Sequence, residues 1–219
     1  MVSHAMGFDL TSNKLLRAVI EMGNNSLLLL NPDKRSPKLK DIYSFPTIEF
    51  CKSFMSLTEA YGLQYIPAII GPNMNINRSV KLNVQKLSLK SRECDDEIIL
   101  IDDSVLSNLI VDKPIMAHLI SYDFYEGQSD TFKTSIIPPS KIEPNSENLI
   151  IFIHGGGFVA LSSSSCEMFL RNWAVSVRCP IFSINYSLSP EAVFPQAIEE
   201  CFYAYCWCIV NSLKIGSTG

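Results

Sequence analysis

A histidine followed by three glycines (His154, Gly155, Gly156 and Gly157) is the part of this sequence whose residue types and spacing could do chemistry. Glycine has no Cβ, so its backbone N–H group can approach a ligand closely. Several N–H groups that converge on one point can stabilise the oxyanion that forms when a carbonyl carbon is attacked. The motif therefore predicts an oxyanion hole. Two alternatives stay open: a site for another anion at a helix N-terminus, and a tight turn with only a structural role.

The residues around this motif predict the elements that must position it. Residues 149–153 are all apolar, which is typical of a buried strand. After the glycines, Ser164 and Glu167 have the spacing of a capping box, which predicts a helix with Ser164 as its N-cap. Pro180 follows that helix, and residues 181–184 resume as a strand. A strand, a glycine turn, a helix and a strand predict a βαβ unit, and hence a parallel sheet.

A second helix is predicted after Pro195, because proline is favoured at the first helical position. Glu199 and Glu200 are predicted to face the solvent, and Gly216 is predicted to cap the C-terminal end. The apolar residues of one helix face are predicted to form its buried stripe: Ile198, Cys201, Phe202, Tyr205, Cys208 and Ile209.

Three regions follow one another along the chain. The pattern of residues 1–92 predicts a mainly helical N-terminal region. Apolar residues alternate weakly over 78–89, and no secondary structure is predicted for that stretch. Residues 93–114 begin with an acidic stretch and predict a solvated connection rather than a cation site. Residues 115–219 predict the α/β region, which opens with a strand over 116–122.

The composition narrows the classes of function. With 219 residues, of which 47% are hydrophobic, the chain can bury a sizeable core, and its net charge of −4 argues against a nucleic-acid partner. Seven cysteines without a Cys-x-x-Cys pair favour a reduced, cytoplasmic compartment. The N-terminus does not predict a signal peptide, and no apolar run predicts a transmembrane segment. Packing is favoured over metal binding for Cys201, Cys206 and Cys208, and Trp173 and Trp207 are predicted to lie in the core.

The glycine motif and several downstream segments together resemble the hormone-sensitive lipase family of α/β-hydrolases. The downstream segments are residues 185–191, with the sequence Asn-Tyr-Ser-Leu-Ser-Pro-Glu, and the Phe-Pro pair at 194–195. Residues 119–128 resemble the family's first catalytic-domain strand, and residues 199–207 resemble its helix after the proline. The similarity is strong over 118–219 and weaker towards the N-terminus. It favours the oxyanion hole over the two alternatives.

The resemblance implies a partial α/β-hydrolase fold and a serine mechanism that cleaves acylglycerols or sterol esters. It implies that the amide N–H groups of Gly156 and Gly157, with Gly155, stabilise the tetrahedral intermediate. It also implies that His154 holds the loop through a ring hydrogen bond, and that Tyr186 and Glu191 support the loop by packing. No cofactor and no metal are implied. Peripheral association with lipid droplets in the cytoplasm is a further expectation.

One departure from the family pattern bears on activity. None of the glycines heads the pattern Gly-x-Ser-x-Gly that carries the family's nucleophile, which is expected downstream of Gly219 together with its acid and base. The chain is therefore expected to be inactive alone. The alternatives are a non-catalytic lipid-binding or regulatory protein derived from the family, and an untranslated or unstable product without function. We also expect the strand at 149–153 to be an apolar sheet edge, which predicts poor solubility unless a partner covers it.

Overall fold

The computed structural model describes residues 65–90, 98–101, 106, 113–128 and 141–218. The chain separates into two compact units, Met1–Ile66 and Pro67–Gly219, and the architecture below is that of the second unit apart from the first residue of α1. The acidic residues at 93–97 and 102–103 and most of the region predicted to be helical lie outside the described residues.

Three helices and six strands are described. In chain order they are α1 (Ile66–Ile70), β1 (Ile76–Leu82), β2 (Leu87–Lys90), β3 (Ile98–Ile101), β4 (Ile115–Ser121), β5 (Ile150–Ile153), α2 (Glu167–Val177), β6 (Ile181–Asn185) and α3 (Gln196–Val210). The predicted C-cap of α3 is wrong: Asn211 occupies that position. Gly216 instead caps the 3₁₀ helix that follows, Ser212–Ile215, in the left-handed conformation at φ 86°.

The principal sheet has the strand order β1-β4-β6-β5, and β2 and β3 form a separate antiparallel pair. β5 and β6 are parallel, with Ile150 opposite Ile181 and Ile153 opposite Ile184, and α2 connects them. The predicted βαβ unit is therefore confirmed. β5 lies at one end of the strand order, so it is an edge strand among the described strands.

The predicted parallel sheet does not extend to the other two strands. β4 runs antiparallel both to β1 and to β6, so the sheet is mixed. β1 and β2 also show that the region predicted to be helical is not helical over 76–82 and 87–90. The alternation in β1 is weak because this strand lies at the sheet edge, where only its two end residues, Ile76 and Leu82, are buried.

The two faces of the principal sheet are covered by different helices. On one face Leu119 and Phe182 belong to the same buried cluster as Ala204 of α3. On the other face Ile120 and Ile181 pack with Leu170 and Ala174 of α2. Successive residues of a strand point to opposite faces, which is why neighbours in β4 and β6 serve different clusters. The result is a helix–sheet–helix arrangement.

The predicted buried stripe of α3 is largely wrong. Cys201 and Cys208 are buried as expected, but four other residues of the stripe are exposed by between 43% and 50%: Ile198, Phe202, Tyr205 and Ile209. α3 instead buries the face with small residues such as Ala197 and Ala204, and Glu200 lies on that face with only 4% exposure. The helix is apolar on nearly every side, so periodicity could not distinguish its faces.

The start of α2 also differs from the prediction. The helix begins at Glu167 with Cys166 at the N-cap position and without a side-chain capping bond, so the Ser164–Glu167 capping box is wrong. The Glu167 carboxylate is instead engaged inside the fold: its Oε1 accepts hydrogen bonds from Arg171 Nε and Asn77 Nδ2, both at 2.8 Å. These contacts join α2 to β1.

The two tryptophans differ from each other in burial. Trp173 is 46% exposed, so the predicted core position is wrong. Its ring contacts Phe152 edge-on and Phe169 at a tilt of 59°. Trp207 packs against the core and stacks on Phe182, with ring centroids 5.7 Å apart. Among the residues that the structure describes, no helix is both long enough and apolar enough to cross a membrane.

Candidate active site

The glycine motif forms a loop directly after β5, in a backbone conformation that favours glycine. Gly156 and Gly157 have φ angles of 109° and 62°, which L residues rarely adopt. A Cβ added to Gly156 would lie 2.1 Å from the carbonyl oxygen of Ala160, whereas a Cβ on Gly155 or Gly157 would meet no atom within 4 Å. Glycine at position 156 is therefore required by both conformation and space.

The hydrogen bonds of this loop use carbonyl oxygens rather than the glycine amides. The carbonyl of Gly156 accepts from the backbone N–H groups of Val159 and Ala160, both at 3.2 Å, and these bonds close a turn. Within the described part of the chain, the N–H groups of Gly155, Gly156 and Gly157 donate to no other residue. Three backbone donors thus remain at the carboxyl end of β5.

Tyr186 holds the first part of the glycine loop. Its hydroxyl donates to the carbonyl oxygen of His154 at 2.7 Å, with the carbonyl oxygen of Gly155 at 3.3 Å as a second acceptor. Its ring stacks on the His154 imidazole at a centroid distance of 4.1 Å and an interplanar angle of 8°. Burial raises the pKa of the Tyr186 phenol, so the group stays a protonated donor at neutral pH.

His154 is almost fully buried, with 2% exposure, and its Nδ1 lies 2.8 Å from the carbonyl oxygen of Gly155. A histidine enclosed in this way is suited to supporting the loop. The structure therefore brings His154 and Tyr186 together at the glycines. Glu191 is exposed, and its supporting role stays a prediction.

The far side of the glycine loop is held by the same downstream segment. The backbone N–H of Ser189 donates to the carbonyl oxygen of Phe158 at 2.8 Å. The Phe158 ring lies 5.7 Å from the Tyr186 ring. Residues 186–192, which we call the tyrosine loop, thus contact the glycine loop on both sides of Gly156 and Gly157.

Glu200 is the residue of this site that sequence reasoning missed. Its Oε2 accepts from the backbone N–H of Ser187 at 2.6 Å, and its Oε1 accepts from Gln196 Nε2 at 2.9 Å. The prediction that Glu200 faces the solvent is wrong because these two donors satisfy the carboxylate inside the fold. Ala197 lies three residues before Glu200 and Ala204 lies four residues after it, so the three residues share one face of the helix. Two small apolar residues on that face were the signal that it is buried.

Ser217 and His118 interact with residues outside the glycine loop. Ser217, next to Gly216, is buried and its hydroxyl donates to the carbonyl oxygen of Ser146 at 3.0 Å, which is a structural contact. The pKa of His118 on β4 is lowered by burial, although nearby Glu167 opposes that shift and Arg171 adds to it. The three residues therefore interact between β4 and α2.

The cysteines of α3 are buried and chemically unreactive. Burial raises the pKa of Cys201 to about 12, with a smaller contribution from Glu200, and also raises the pKa values of Cys206 and Cys208. Their thiols therefore stay protonated at neutral pH. The described ranges contain no group of three His, Cys, Asp or Glu residues that could hold a metal ion.

Comparison with known proteins places this loop in a family. Residues 1–129 match the model of the hormone-sensitive lipase N-terminus, and residues 150–218 match a model of the alpha/beta hydrolase fold. The chain belongs to the hormone-sensitive lipase family. It is 34% identical to hormone-sensitive lipase of Mus musculus over 200 residues, which cover 87% of this chain and 26% of that protein. The human protein is 31% identical over 230 residues, which cover 100% of this chain and 21% of the human sequence.

The chain thus spans about a quarter of the length of these lipases. Among solved structures, the thermostable carboxylesterase EstE1 aligns with a TM-score of 0.48 and 15% identity, over 78% of this chain and 42% of the esterase. The family match and the βαβ unit show a partial α/β-hydrolase fold with a mixed sheet.

Proposed function

We propose that this chain supplies the oxyanion-hole part of a carboxylester hydrolase of the hormone-sensitive lipase family, whose substrates are lipid esters such as acylglycerols or sterol esters. One observation carries the proposal. At the end of β5, the N–H groups of Gly155, Gly156 and Gly157 have no acceptor among the described residues, while the carbonyls around them are held by Tyr186 and Ser189.

The chemistry follows from this arrangement. When a serine oxygen attacks the ester carbonyl, the carbonyl oxygen takes up negative charge, and backbone N–H groups already in place stabilise it without reorganisation. Loss of one such donor lowers kcat by about 10²–10³ in a well-studied hydrolase. The proposal assigns the nucleophilic serine, its acid and its base to parts of the family's length that these 219 residues do not span.

The test is a fusion protein in which this chain replaces the matching segment of mouse hormone-sensitive lipase. We expect the fusion protein to hydrolyse p-nitrophenyl butyrate and an emulsified diacylglycerol, and the 219-residue chain alone to hydrolyse neither. The mouse enzyme without the replacement is the positive control.

Two results would contradict the proposal. A fusion protein that is folded by circular dichroism but inactive on both esters would contradict the assigned role. Turnover by the 219-residue chain alone would show that a nucleophile had been overlooked. A folded, inactive fusion protein that still binds the emulsion would favour a non-catalytic lipid-binding protein instead.

A further inference from the structure

The glycine loop is held in position by hydrogen bonds from the tyrosine loop, which lie on both sides of Gly156 and Gly157 in the sequence. The Tyr186 hydroxyl contacts the carbonyls of His154 and Gly155 on one side, and the Ser189 N–H contacts the carbonyl of Phe158 on the other. Any displacement of the tyrosine loop is therefore transmitted to the glycine amides.

The tyrosine loop is in turn attached to α3 by one buried carboxylate. Glu200 is 4% exposed, and its Oε2 accepts the backbone N–H of Ser187, the residue directly after Tyr186, at 2.6 Å. Its second oxygen accepts Gln196 Nε2 at 2.9 Å. Hydrogen bonds to a charged acceptor are shorter and about twice as strong as neutral ones.

The chemistry of the two contacts calls for a carboxylate. Both partners of Glu200 are N–H donors, so both of its oxygens must accept. A glutamine at position 200 would have almost the same shape but would place an NH₂ group against one of the donors. If the Gln196 amide kept its orientation, one hydrogen bond would be lost and a buried donor would be left unsatisfied. If it turned to offer its oxygen, both hydrogen bonds of Glu200 would become neutral ones of about half the strength. In both cases the attachment of Ser187 to α3 is weakened.

We propose that Glu200 is a positioning residue for the oxyanion-hole loop: through Ser187 and Tyr186 it fixes where the amides of Gly155, Gly156 and Gly157 point. The catalytic meaning of this role rests on the proposed function above. The coupling between Glu200 and the glycine loop does not, so it is tested first without an activity measurement.

The first experiment measures hydrogen exchange by mass spectrometry on the 219-residue chain, comparing Glu200→Gln with the matched control Glu199→Gln. We expect faster exchange in Glu200→Gln for peptides covering residues 154–161 and 186–192, with unchanged exchange in β4, which serves as an internal reference. Glu199→Gln should leave all three regions as in the parent chain. Unchanged exchange at 154–161 in Glu200→Gln would overturn the proposal, as would an equal effect of the control.

If Glu200→Gln increases exchange in β4 as well, the substitution has loosened the whole fold, and Tyr186→Phe provides the second route. That variant removes only the hydroxyl that contacts the carbonyls of His154 and Gly155. We expect it to increase exchange at 154–161 while β4 stays protected. No increase there would overturn the proposed path through Tyr186.

The second experiment measures kcat and KM for the fusion protein. Glu200→Gln is expected to lower kcat by about 10-fold to 100-fold through displacement of the donors, with KM nearly unchanged. Glu200→Asp is expected to recover part of the loss, because it restores an acceptor-only group. A loss confined to KM, or no recovery by aspartate, would contradict the positioning role. An inactive parent fusion protein would refute the proposed function and leave the exchange result standing.

Discussion

Gly156 offers the sharpest perturbation of the candidate site, because the structure gives its consequence in distances. A Cβ at this position would lie 2.1 Å from the carbonyl oxygen of Ala160 and 2.8 Å from its carbonyl carbon. The backbone φ of 109° adds strain for any L residue. Gly156→Ala therefore requires the turn between Gly156 and Ala160 to move by about 1 Å, and a misplacement of that size can lower a rate by about 10²-fold.

We expect Gly156→Ala to lower kcat of the fusion protein by about 10²–10³, which corresponds to roughly 2.7–4 kcal/mol of transition-state stabilisation. KM should change little, because the hydrogen bond to the oxyanion exists only in the transition state. The assay is steady-state hydrolysis of p-nitrophenyl butyrate, with circular dichroism to show that the variant is folded.

Gly155→Ala is the matched control. The chemical change is identical and one residue away, but its Cβ would meet no atom within 4 Å. Because the methyl group displaces no part of the loop, the rate loss in Gly155→Ala should be clearly smaller than that in Gly156→Ala. Equal rate losses in the two variants, or full activity in a folded Gly156→Ala variant, would refute the reasoning from loop geometry.

Three further predictions concern the stability and solubility of the chain. Arg171→Met should lower the free energy of unfolding by about 3–5 kcal/mol in urea titrations, because it leaves the buried Glu167 carboxylate without its cation, which lies 2.7 Å away; a loss below 1 kcal/mol would contradict the ion pair's importance. Burial lowers the pKa of folded His118 below its ordinary value of 6.5; Glu167 raises this pKa and Arg171 lowers it further. The unfolded chain therefore binds the proton more readily, and the free energy of unfolding falls as the pH drops below about 6.5. His118→Gln should flatten this dependence between pH 7 and pH 5, and an unchanged slope would show that another group is responsible. Ile153→Lys places a charge on the edge strand β5 at a side chain that is already 50% exposed, so it should reduce light scattering of the concentrated chain; undiminished scattering would mean that association does not use this edge.

The parts of the fold that the sequence predicted are those set by local signals. A strand, a glycine turn, a helix and a second strand follow one another over residues 150–185, and this order predicts the βαβ unit. Gly156 and Gly157 adopt positive φ angles, as glycine does in turns without strain, whereas the positive φ angles of Phe158 and Leu161 in the same loop have no local sequence signal.

The parts that were not predicted depend on contacts between distant residues. β1 pairs with β4 across about 40 positions, and the alternation in β1 is weak because this edge strand is exposed along most of its length. The apolar stripe of the helix places Glu200 on the solvent face, yet the Ser187 N–H, 13 residues earlier, satisfies its carboxylate inside the fold. Similarly, Glu167 serves Arg171 and Asn77 rather than a helix cap.

The hydrogen bonds that join the tyrosine loop to the glycine loop in the described structure end on main-chain oxygens, those of His154, Gly155 and Phe158. A change of side chain in this stretch therefore leaves these hydrogen bonds in place, even where it removes a ring contact with Tyr186. The Phe158 ring is 47% exposed at the rim of the glycine turn. Under the proposed function, the exposed ring next to the anion-binding amides can therefore be exchanged for a smaller or larger one without breaking a main-chain hydrogen bond of the loop, which separates the surface met by the substrate from the bonds that hold the donors.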